Sequence, residues 1–198
     1  MKDNHFKIIV PFYNVEQWIK LTINSVKFQD YEDFECILID DISTDNSNEI
    51  ALKIIGDDSR FRLVTNKEKK YTLENLRESL TLASPDKEDV VVIVHGDDWL
   101  ARKDALSILN KTYNQEKCWL TYGSYIEYPS HILGKFSKKL PQEVIQDNSF
   151  RNYPWTTSHL HTFKYGLWQY IEDWSFVEDP RLEHQFQFCW DLAWMFPL

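Results

Sequence analysis

The chain has 198 residues, enough for one domain with a substantial buried core. With 22 basic against 31 acidic side chains, its net charge is -9, which argues against binding to the phosphate backbone of a nucleic acid. Three widely spaced cysteines outside any C-x-x-C pattern argue against both a disulfide framework and a zinc site.

The sequence also carries no targeting signal. The first residues lead straight into a short strand rather than into the apolar region of a signal peptide, and no apolar run approaches the roughly 18 residues of a membrane span. The cysteine pattern is typical of reduced thiols in a reducing compartment. We therefore expect a soluble, cytoplasmic protein without a membrane span.

Strands and helices alternate along the first 125 residues. Short apolar runs predict strands, and apolar positions at spacings of three and four predict amphipathic helices. Strands are predicted at 6–10, where Pro11 ends the first, and at 34–39, 61–64, 89–94 and 118–122. Helices are predicted at 15–27, with Asn14 as N-cap, and at 45–55, 71–83 and 102–113. This alternation indicates βαβ units, a mainly parallel sheet and helices on both of its faces.

The alternation breaks after about Gly123. X-Pro pairs punctuate residues 126–198, and the aromatic density there is too high for a disordered linker. We predict that residues 126–198 pack on the sheet as a second half of the same domain and shape its substrate site. The apolar ending from Trp194 to Leu198 is unusual for a natural terminus and predicts that the natural chain continues.

One apolar, β-branched run ends abruptly on two adjacent carboxylates, Asp97 and Asp98. In open α/β sheets, ligands bind outside the carboxyl ends of the strands, so these acids are well placed for a metal or a charged ligand. Because two neighbouring acids repel each other, Mg²⁺ or Mn²⁺, which prefer carboxylate oxygens, would compensate them. The alternative is a solvated turn that caps the following helix.

Three loops are expected to meet at that edge of the sheet. They carry the motifs Pro11-Phe12-Tyr13-Asn14, Asp40-Asp41-Ile42-Ser43-Thr44-Asp45-Asn46 and His95-Gly96-Asp97-Asp98. Together, in this order, they resemble the P-x-Y-N, D-D-x-S-x-D and D-x-D-type motifs of family 2 glycosyltransferases. The resemblance covers roughly residues 6–125.

This resemblance implies a fold and an activity. The fold is the GT-A, or nucleotide-diphospho-sugar transferase, fold: a Rossmann-like, mainly parallel sheet with helices on both faces and an aromatic-rich acceptor-side segment. The implied activity is a metal-dependent, inverting transfer of a sugar from a UDP-sugar to a carbohydrate or other hydroxyl acceptor, with Mn²⁺ or Mg²⁺ as cofactor. Residues 1–125 would then form the donor half and 126–198 the acceptor half. The sequence gives no signal for an oligomeric state.

The resemblance also suggests residues for the donor base. Pro11 and Tyr13 match positions that line the nucleobase, and Asn14 completes that motif. Asp41 matches the acid that accepts the imide N–H of uracil, a bond that a carboxylate at a strand end can supply. A turn capped by Asp41 through Ser43 is the alternative. Further donor contacts are expected from the asparagines of the next loop and helix, Asn66 and Asn75.

The motif around the two carboxylates departs from the family pattern in one place. Asp97 and Asp98 match the acids that bind ribose and the metal bridging the diphosphate. His95 stands where many members carry a further acid, so it removes one negative charge from the site. Its imidazole could still contact ribose or metal. The alternative is a degenerate donor site.

Candidate residues for the acceptor side lie further along the chain. Residues 158–164 resemble an S-H-L-R-T-F-K segment of viral and bacterial relatives, in which His159 and His161 are candidate pyrophosphate or metal contacts; packed histidines are the alternative. Asp191, among aromatic residues at an apparent helix start, resembles the acid that deprotonates the acceptor hydroxyl. Helix capping is its alternative role, and the other candidates for the base are Glu178, Asp179 and Glu183.

Three other function classes compete with this one. A UDP-sugar-binding module that is catalytically weak or inactive is favoured by His95. A nucleotidylyltransferase needs a Gly-rich, basic loop after the first strand, where this chain has Pro11 to Asn14. A dinucleotide oxidoreductase is disfavoured because no G-x-G-x-x-G occurs among only five glycines.

Overall fold

The computed structural model describes residues 3–171 and Met195 as a mixed α/β fold. The strands are β1 (Phe6–Phe12), β2 (Phe34–Asp40), β3 (Phe61–Thr65), β4 (Val90–Ile93), β5 (Leu120–Gly123) and β6 (Ser158–Lys164). The helices are α1 (Ile19–Lys27), α2 (Ser47–Ile55), α3 (Tyr71–Ala83), α4 (Ala105–Glu116), α5 (Gln142–Gln146) and α6 (Tyr165–Trp168). Among the described residues, no helix combines the length and the apolar character needed to cross a membrane.

The strands form one six-stranded sheet in the order β3-β2-β1-β4-β6-β5. β1 pairs in parallel with β2 and β4, and β2 pairs in parallel with β3. β6 runs antiparallel between β4 and β5. Because the first four strands are parallel, their carboxyl ends and the loops that follow lie at one edge of the sheet.

Successive residues of the strands point to opposite faces, and each face carries its own core. One core contains Ile8 and Val10 of β1 and receives the apolar faces of α1, α2 and α4. The other contains Ile9 of β1 and receives α3, with Leu167 and Trp168 of α6 packed against it. The prediction of helices on both faces of a mainly parallel sheet is therefore confirmed.

The predicted bounds are wrong in several elements; α4, for example, is shifted by three residues from the predicted 102–113. Three further differences have identifiable causes. β1 continues through Pro11 to Phe12, because the Pro11 carbonyl still accepts a hydrogen bond from Gly96 N (3.1 Å). α1 begins at Ile19 rather than at residue 15, since Asn14 has φ +52° and its side chain bonds another loop instead of capping the helix. β6 was not predicted, because its histidines and threonines give no apolar run.

The turn after β4, which carries the two adjacent carboxylates, is held by buried contacts. A side chain at Gly96 would overlap the Cβ of Phe12, so the close approach of this turn to β1 requires glycine. The Thr22 hydroxyl, buried on α1, donates a hydrogen bond to the Gly96 carbonyl (2.8 Å). The turn is thereby fixed from the α1 side.

Replacing Thr22 by valine should destabilise the protein by about 1–2 kcal/mol, because valine has the same shape and leaves the buried Gly96 carbonyl without this donor. Thr112→Val is the matched control: this hydroxyl, exposed on α4, bonds its own helix at Ile108 (2.9 Å), and its loss should change stability by less than about 0.5 kcal/mol. Urea unfolding measures both. Equal changes in the two variants would contradict the role of the Thr22 bond.

Candidate functional site

The carboxylate of Asp41, at the end of β2, is buried at 3% exposure and ties three elements together. Its Oδ1 accepts hydrogen bonds from Asn66 Nδ2 (2.8 Å) and Lys70 N (2.8 Å), and its Oδ2 accepts one from Tyr71 N (2.9 Å). Lys69 Nζ lies 3.4 Å from Oδ2. Asp41 therefore caps the start of α3, where a negative charge also interacts favourably with the helix dipole.

The two asparagines predicted as donor contacts support this carboxylate. Asn66 Nδ2 also bonds Asn75 Oδ1 (2.6 Å), and both side chains are buried. Burial raises the pKa of Asp41, but hydrogen bonds from Lys70, Asn66 and Tyr71 outweigh it, so the net pKa lies below the usual value. Asp41 is thus held as a carboxylate, an acceptor for an N–H donor.

The turn after β2 is capped by Asp40 and not by Asp41, so the alternative role considered for Asp41 is wrong. Asp40 Oδ1 accepts the backbone N–H of Ser43 (2.8 Å), and Asp40 Oδ2 accepts Asn48 Nδ2 (2.8 Å). Asp41 is consequently left to face the loop that follows β3.

The loops after β1 and β2 interlock. Asn14 Oδ1 accepts the backbone N–H of Thr44 (2.7 Å), and Asn14 N donates to Ser43 Oγ (3.0 Å). Glu16 N donates to Asp45 Oδ2 (3.0 Å). The P-F-Y-N and D-D-I-S-T-D-N motifs therefore form one hydrogen-bonded unit, in which Asn14 is a positioning residue.

Tyr13 presents its ring to solvent beside Asp41, at 45% exposure. Lys69 Nζ lies over this ring, 2.8 Å from the centroid, and also donates to the Asp41 carbonyl (3.3 Å). The sequence analysis missed Lys69, because a lysine in a K-E-K-K run is typical of a solvated face. Pro11, by contrast, is buried in β1 and positions the loop.

The two carboxylates after β4, Asp97 and Asp98, are both exposed and lie in a turn closed by a bond from Asp98 N to the His95 carbonyl (3.0 Å). Although Asp98 is exposed, neighbouring atoms displace part of the water around its carboxyl group. This desolvation and the charge of Asp97 raise the pKa of Asp98, and the opposite effect of His159 is smaller. A cation beside Asp98 would relieve this penalty.

Three histidines gather next to these acids. The ring centroids of His95 and His159 are 4.9 Å apart, and those of His159 and His161 are 5.6 Å apart. Burial lowers the pKa of His95 to about 4 and that of His161 to about 3, so both are neutral at pH 7. Since His159 and His161 belong to residues 158–164, their position agrees with the prediction that this segment lies near the site.

The residues present fit a divalent cation only as partial ligands. Within residues 3–171 and Met195, no three His, Cys, Asp or Glu side chains converge as a metal site on their own. Asp97 and Asp98 nevertheless offer adjacent hard oxygen donors, and Mg²⁺ is commonly held by one or two carboxylates plus substrate phosphates. The donor set therefore suits a cation whose coordination a substrate completes.

A cleft of about 910 Å³ opens beside these acids. Asp97, Asp98 and His159 line it, and its other wall is aromatic. Trp99 packs on Trp18 (ring centroids 6.2 Å) and on Tyr128 (5.2 Å). Tyr13 and Asp41 are not part of its lining; they lie on the neighbouring loops, after β1 and β2, at the same edge of the sheet. The sequence shows that the chain is rich in tryptophan, but it does not show that Trp18 and Trp99 meet at this cleft.

The predicted acceptor base, Asp191, lies outside the described residues. The same holds for the other candidates, Glu178, Asp179 and Glu183, and for the predicted helix start at Asp191. Their roles stay predictions from the sequence.

A family model described as Glycosyl transferase family 2 matches residues 7–176. The UDP-Glc:alpha-D-GlcNAc-diphosphoundecaprenol beta-1,3-glucosyltransferase WfgD of Escherichia coli is 32% identical over 154 residues, 77% of this chain and 57% of that protein. Glycosyltransferase GlyG of Streptococcus pneumoniae is 26% identical over 121 residues, 61% of this chain and 39% of the relative.

A third relative, the GalNAc(5)-diNAcBac-PP-undecaprenol beta-1,3-glucosyltransferase of Campylobacter jejuni, is 29% identical over 133 residues, 67% of this chain and 42% of that protein. The chain therefore spans well under two thirds of the length of each of these relatives.

Two solved structures share the fold. The S. aureus TarS complex with UDP has a TM-score of 0.69 at 18% identity, covering 97% of this chain and 55% of that one. The mannosyltransferase PcManGT from Pyrobaculum calidifontis, in complex with GDP-Man and Mn²⁺, has a TM-score of 0.62 at 19% identity, covering 85% and 47%. The fold is therefore GT-A, as predicted.

Asp41→Asn should lower the free energy of unfolding at pH 7 by about 1–3 kcal/mol. The NH₂ of the new amide would face N–H groups whose hydrogen bonds the carboxylate now accepts. Since the folded pKa of Asp41 is lowered, its carboxylate stabilises the fold fully above about pH 4 and loses this effect as pH falls through the folded pKa. The difference between variant and parent should therefore shrink in acid.

Urea unfolding at a series of pH values measures this difference. Asp57→Asn, at an exposed carboxylate between α2 and β3, is the control and should change little at any pH. A destabilisation of Asp41→Asn that is constant from pH 7 to acid would contradict the assigned hydrogen bonds.

Proposed function

We propose that this chain, which belongs to glycosyl transferase family 2, transfers a sugar from a UDP-sugar to a hydroxyl acceptor. The transfer would invert the configuration at the anomeric carbon of the sugar and would need a divalent cation. One observation carries the proposal: the loops after β2, β1 and β4 are neighbours at the carboxyl edge of the sheet, so Asp41, Tyr13 and the Asp97–Asp98 pair follow one another along that edge, and the two acids line the 910 Å³ cleft. A donor bound along that edge would place its base beside Asp41 and Tyr13 and its sugar at the cleft.

Asp41 and Tyr13 would recognise the base. An ionised carboxylate has about four acceptor positions, and three N–H donors occupy positions on Asp41. The imide N–H of uracil would take the place of Lys69 Nζ, which now lies 3.4 Å from Oδ2. A base stacked on the exposed face of Tyr13 would displace the Lys69 ammonium from that face. Asn66 and Asn75 would act through Asp41, which they hold in place.

Asp97 and Asp98 would hold the cation and the ribose. When bound, Mn²⁺ or Mg²⁺ supplies positive charge against the diphosphate and stabilises the departing UDP. The raised pKa of Asp98 supports this role, because desolvation and the charge of Asp97 both disfavour its ionised form and a bound cation would favour that form. His159, next to Asp98 in the cleft, is the candidate third contact.

The acceptor would enter the aromatic cleft. Aromatic faces pack well against the apolar faces of sugar rings, and Trp99 and Tyr128, which pack on each other, line the same cleft as the two acids. Two relatives are named for acceptors on diphosphoundecaprenol, which supports a carbohydrate hydroxyl as the acceptor group. Asp191 is proposed as the base that deprotonates it.

A second candidate, a UDP-sugar-binding module with little or no turnover, is favoured by His95. A neutral imidazole here supplies no negative charge for the cation, and this weakens the attraction of the site for metal. The two candidates differ in one result: the module would bind UDP without transferring or hydrolysing the sugar.

Asp98→Ala should weaken Mn²⁺-dependent UDP binding by at least about tenfold, because one of the two hard donors is removed. Asp86→Ala is the control, since Asp86 is an exposed carboxylate just before the amino end of β4, at the opposite edge of the sheet, and its loss should leave binding as it is. Isothermal calorimetry with and without Mn²⁺ gives both values. Unchanged Mn²⁺-dependent binding in Asp98→Ala would overturn the metal assignment.

Asp191→Asn should retain UDP affinity and lose sugar transfer, because the amide cannot take the acceptor proton. UDP affinity is measured by calorimetry and transfer by UDP release in the presence of acceptor. Glu183→Gln, at another candidate base, is the comparison and should retain both. Parallel loss of affinity and transfer in Asp191→Asn would indicate a structural role instead.

A further inference from the structure

The segment of residues 125–140, between β5 and α5, combines exposed apolar side chains with positive charge. Five of its large apolar residues are exposed by about half or more: Ile126, Tyr128, Ile132, Leu133 and Phe136. The segment also carries three lysines, Lys135, Lys138 and Lys139, against a single acid, Glu127. In a chain with a net charge of -9, this is a local excess of positive charge.

Backbone hydrogen bonds fix the conformation of this segment, so its apolar side chains are exposed in an ordered structure. Gly134 N donates to the Tyr125 carbonyl (2.8 Å), and Glu127 N donates to the Ile132 carbonyl (2.9 Å), closing a short antiparallel turn. At its far end, Lys138 N donates to the Thr156 carbonyl (3.1 Å). Ordered, exposed apolar side chains of this number are typical of an interaction surface.

The segment is also joined to the candidate site. Tyr128 packs on Trp99, directly after the two carboxylates, and on Trp18 at the start of α1 (5.9 Å between centroids). Ile126 and Leu133 line the same cleft as Asp97. Whatever binds the 125–140 segment therefore lies at the mouth of that cleft.

We propose that the 125–140 segment docks on the surface of an anionic lipid bilayer and presents the cleft to it. Exposed aliphatic and aromatic side chains enter the interface between headgroups and acyl chains, and neighbouring lysines attract anionic headgroups. The apolar and basic residues alternate within one short segment, which fits a charged, apolar boundary better than a purely apolar partner. The contact needs no donor, so it stands or falls separately from the proposed transfer reaction.

Co-sedimentation with vesicles tests this docking, with the whole chain and no nucleotide. The chain should sediment with vesicles of phosphatidylglycerol and phosphatidylcholine, bind vesicles of phosphatidylcholine alone at least about tenfold more weakly, and dissociate as salt rises. Leu133→Asp should reduce binding to the anionic vesicles by about tenfold or more. The control is Leu52→Asp on α2, which should leave binding unchanged. Leu52 is exposed to 61% and Leu133 to 64%, but Leu52 lies outside the segment.

The charge contribution is tested by replacing Lys135, Lys138 and Lys139 together by glutamine. This variant should lose about tenfold or more in binding, whereas the same three-charge change at the exposed Lys20, Lys53 and Lys67 should lose less. Circular dichroism melts establish that each variant folds. The proposal is overturned if the parent chain does not bind anionic vesicles, or if the segment and control variants lose binding equally. Self-association abolished by Leu133→Asp in the absence of lipid would also overturn it, in favour of a second copy as the partner.

Discussion

A buried carboxylate without partners is strongly unfavourable in a folded protein, and Asp41 is buried at the end of β2. The chain satisfies it with the backbone N–H groups of Lys70 and Tyr71 and with Asn66, so the loop after β3 and the start of α3 must close around this one side chain. The position of the Asp41 carboxylate beside Lys69, and through Lys69 beside the ring of Tyr13, follows from that closure.

The same edge of the sheet separates two kinds of surroundings. On the side of β1 and β2, Lys69 links the buried carboxylate of Asp41 to the exposed ring of Tyr13. On the side of β5 and β6, Trp99 and Tyr128 wall a much larger cleft. The turn after β4 stands between them, held by the close approach of Gly96 to β1. A family 2 glycosyltransferase that binds a two-part donor would use this separation of base from sugar.

Sequence reasoning succeeded where one local signal determines the structure. The periodicity of α3 predicted its bounds, Tyr71–Ala83, without error. It failed where residues distant in sequence determine the structure. Asn14 looks like a helix cap but bonds Thr44, and Lys69 looks like a solvated lysine but contacts Tyr13 and Asp41. Both depend on the meeting of loops that no local pattern encodes. The apolar surface of residues 125–140 is likewise visible only once exposure is known.

The proposed reaction needs both the aspartate pair and a cation. The most direct test is the release of nucleoside diphosphate from a panel of UDP-sugars and GDP-sugars, measured by chromatography once with Mn²⁺ and once with a chelator. We expect that at least one UDP-sugar is hydrolysed, that GDP-sugars are not, and that the chelator stops the reaction. Hydrolysis that is indifferent to the chelator, or no release from any UDP-sugar, would contradict the proposed function.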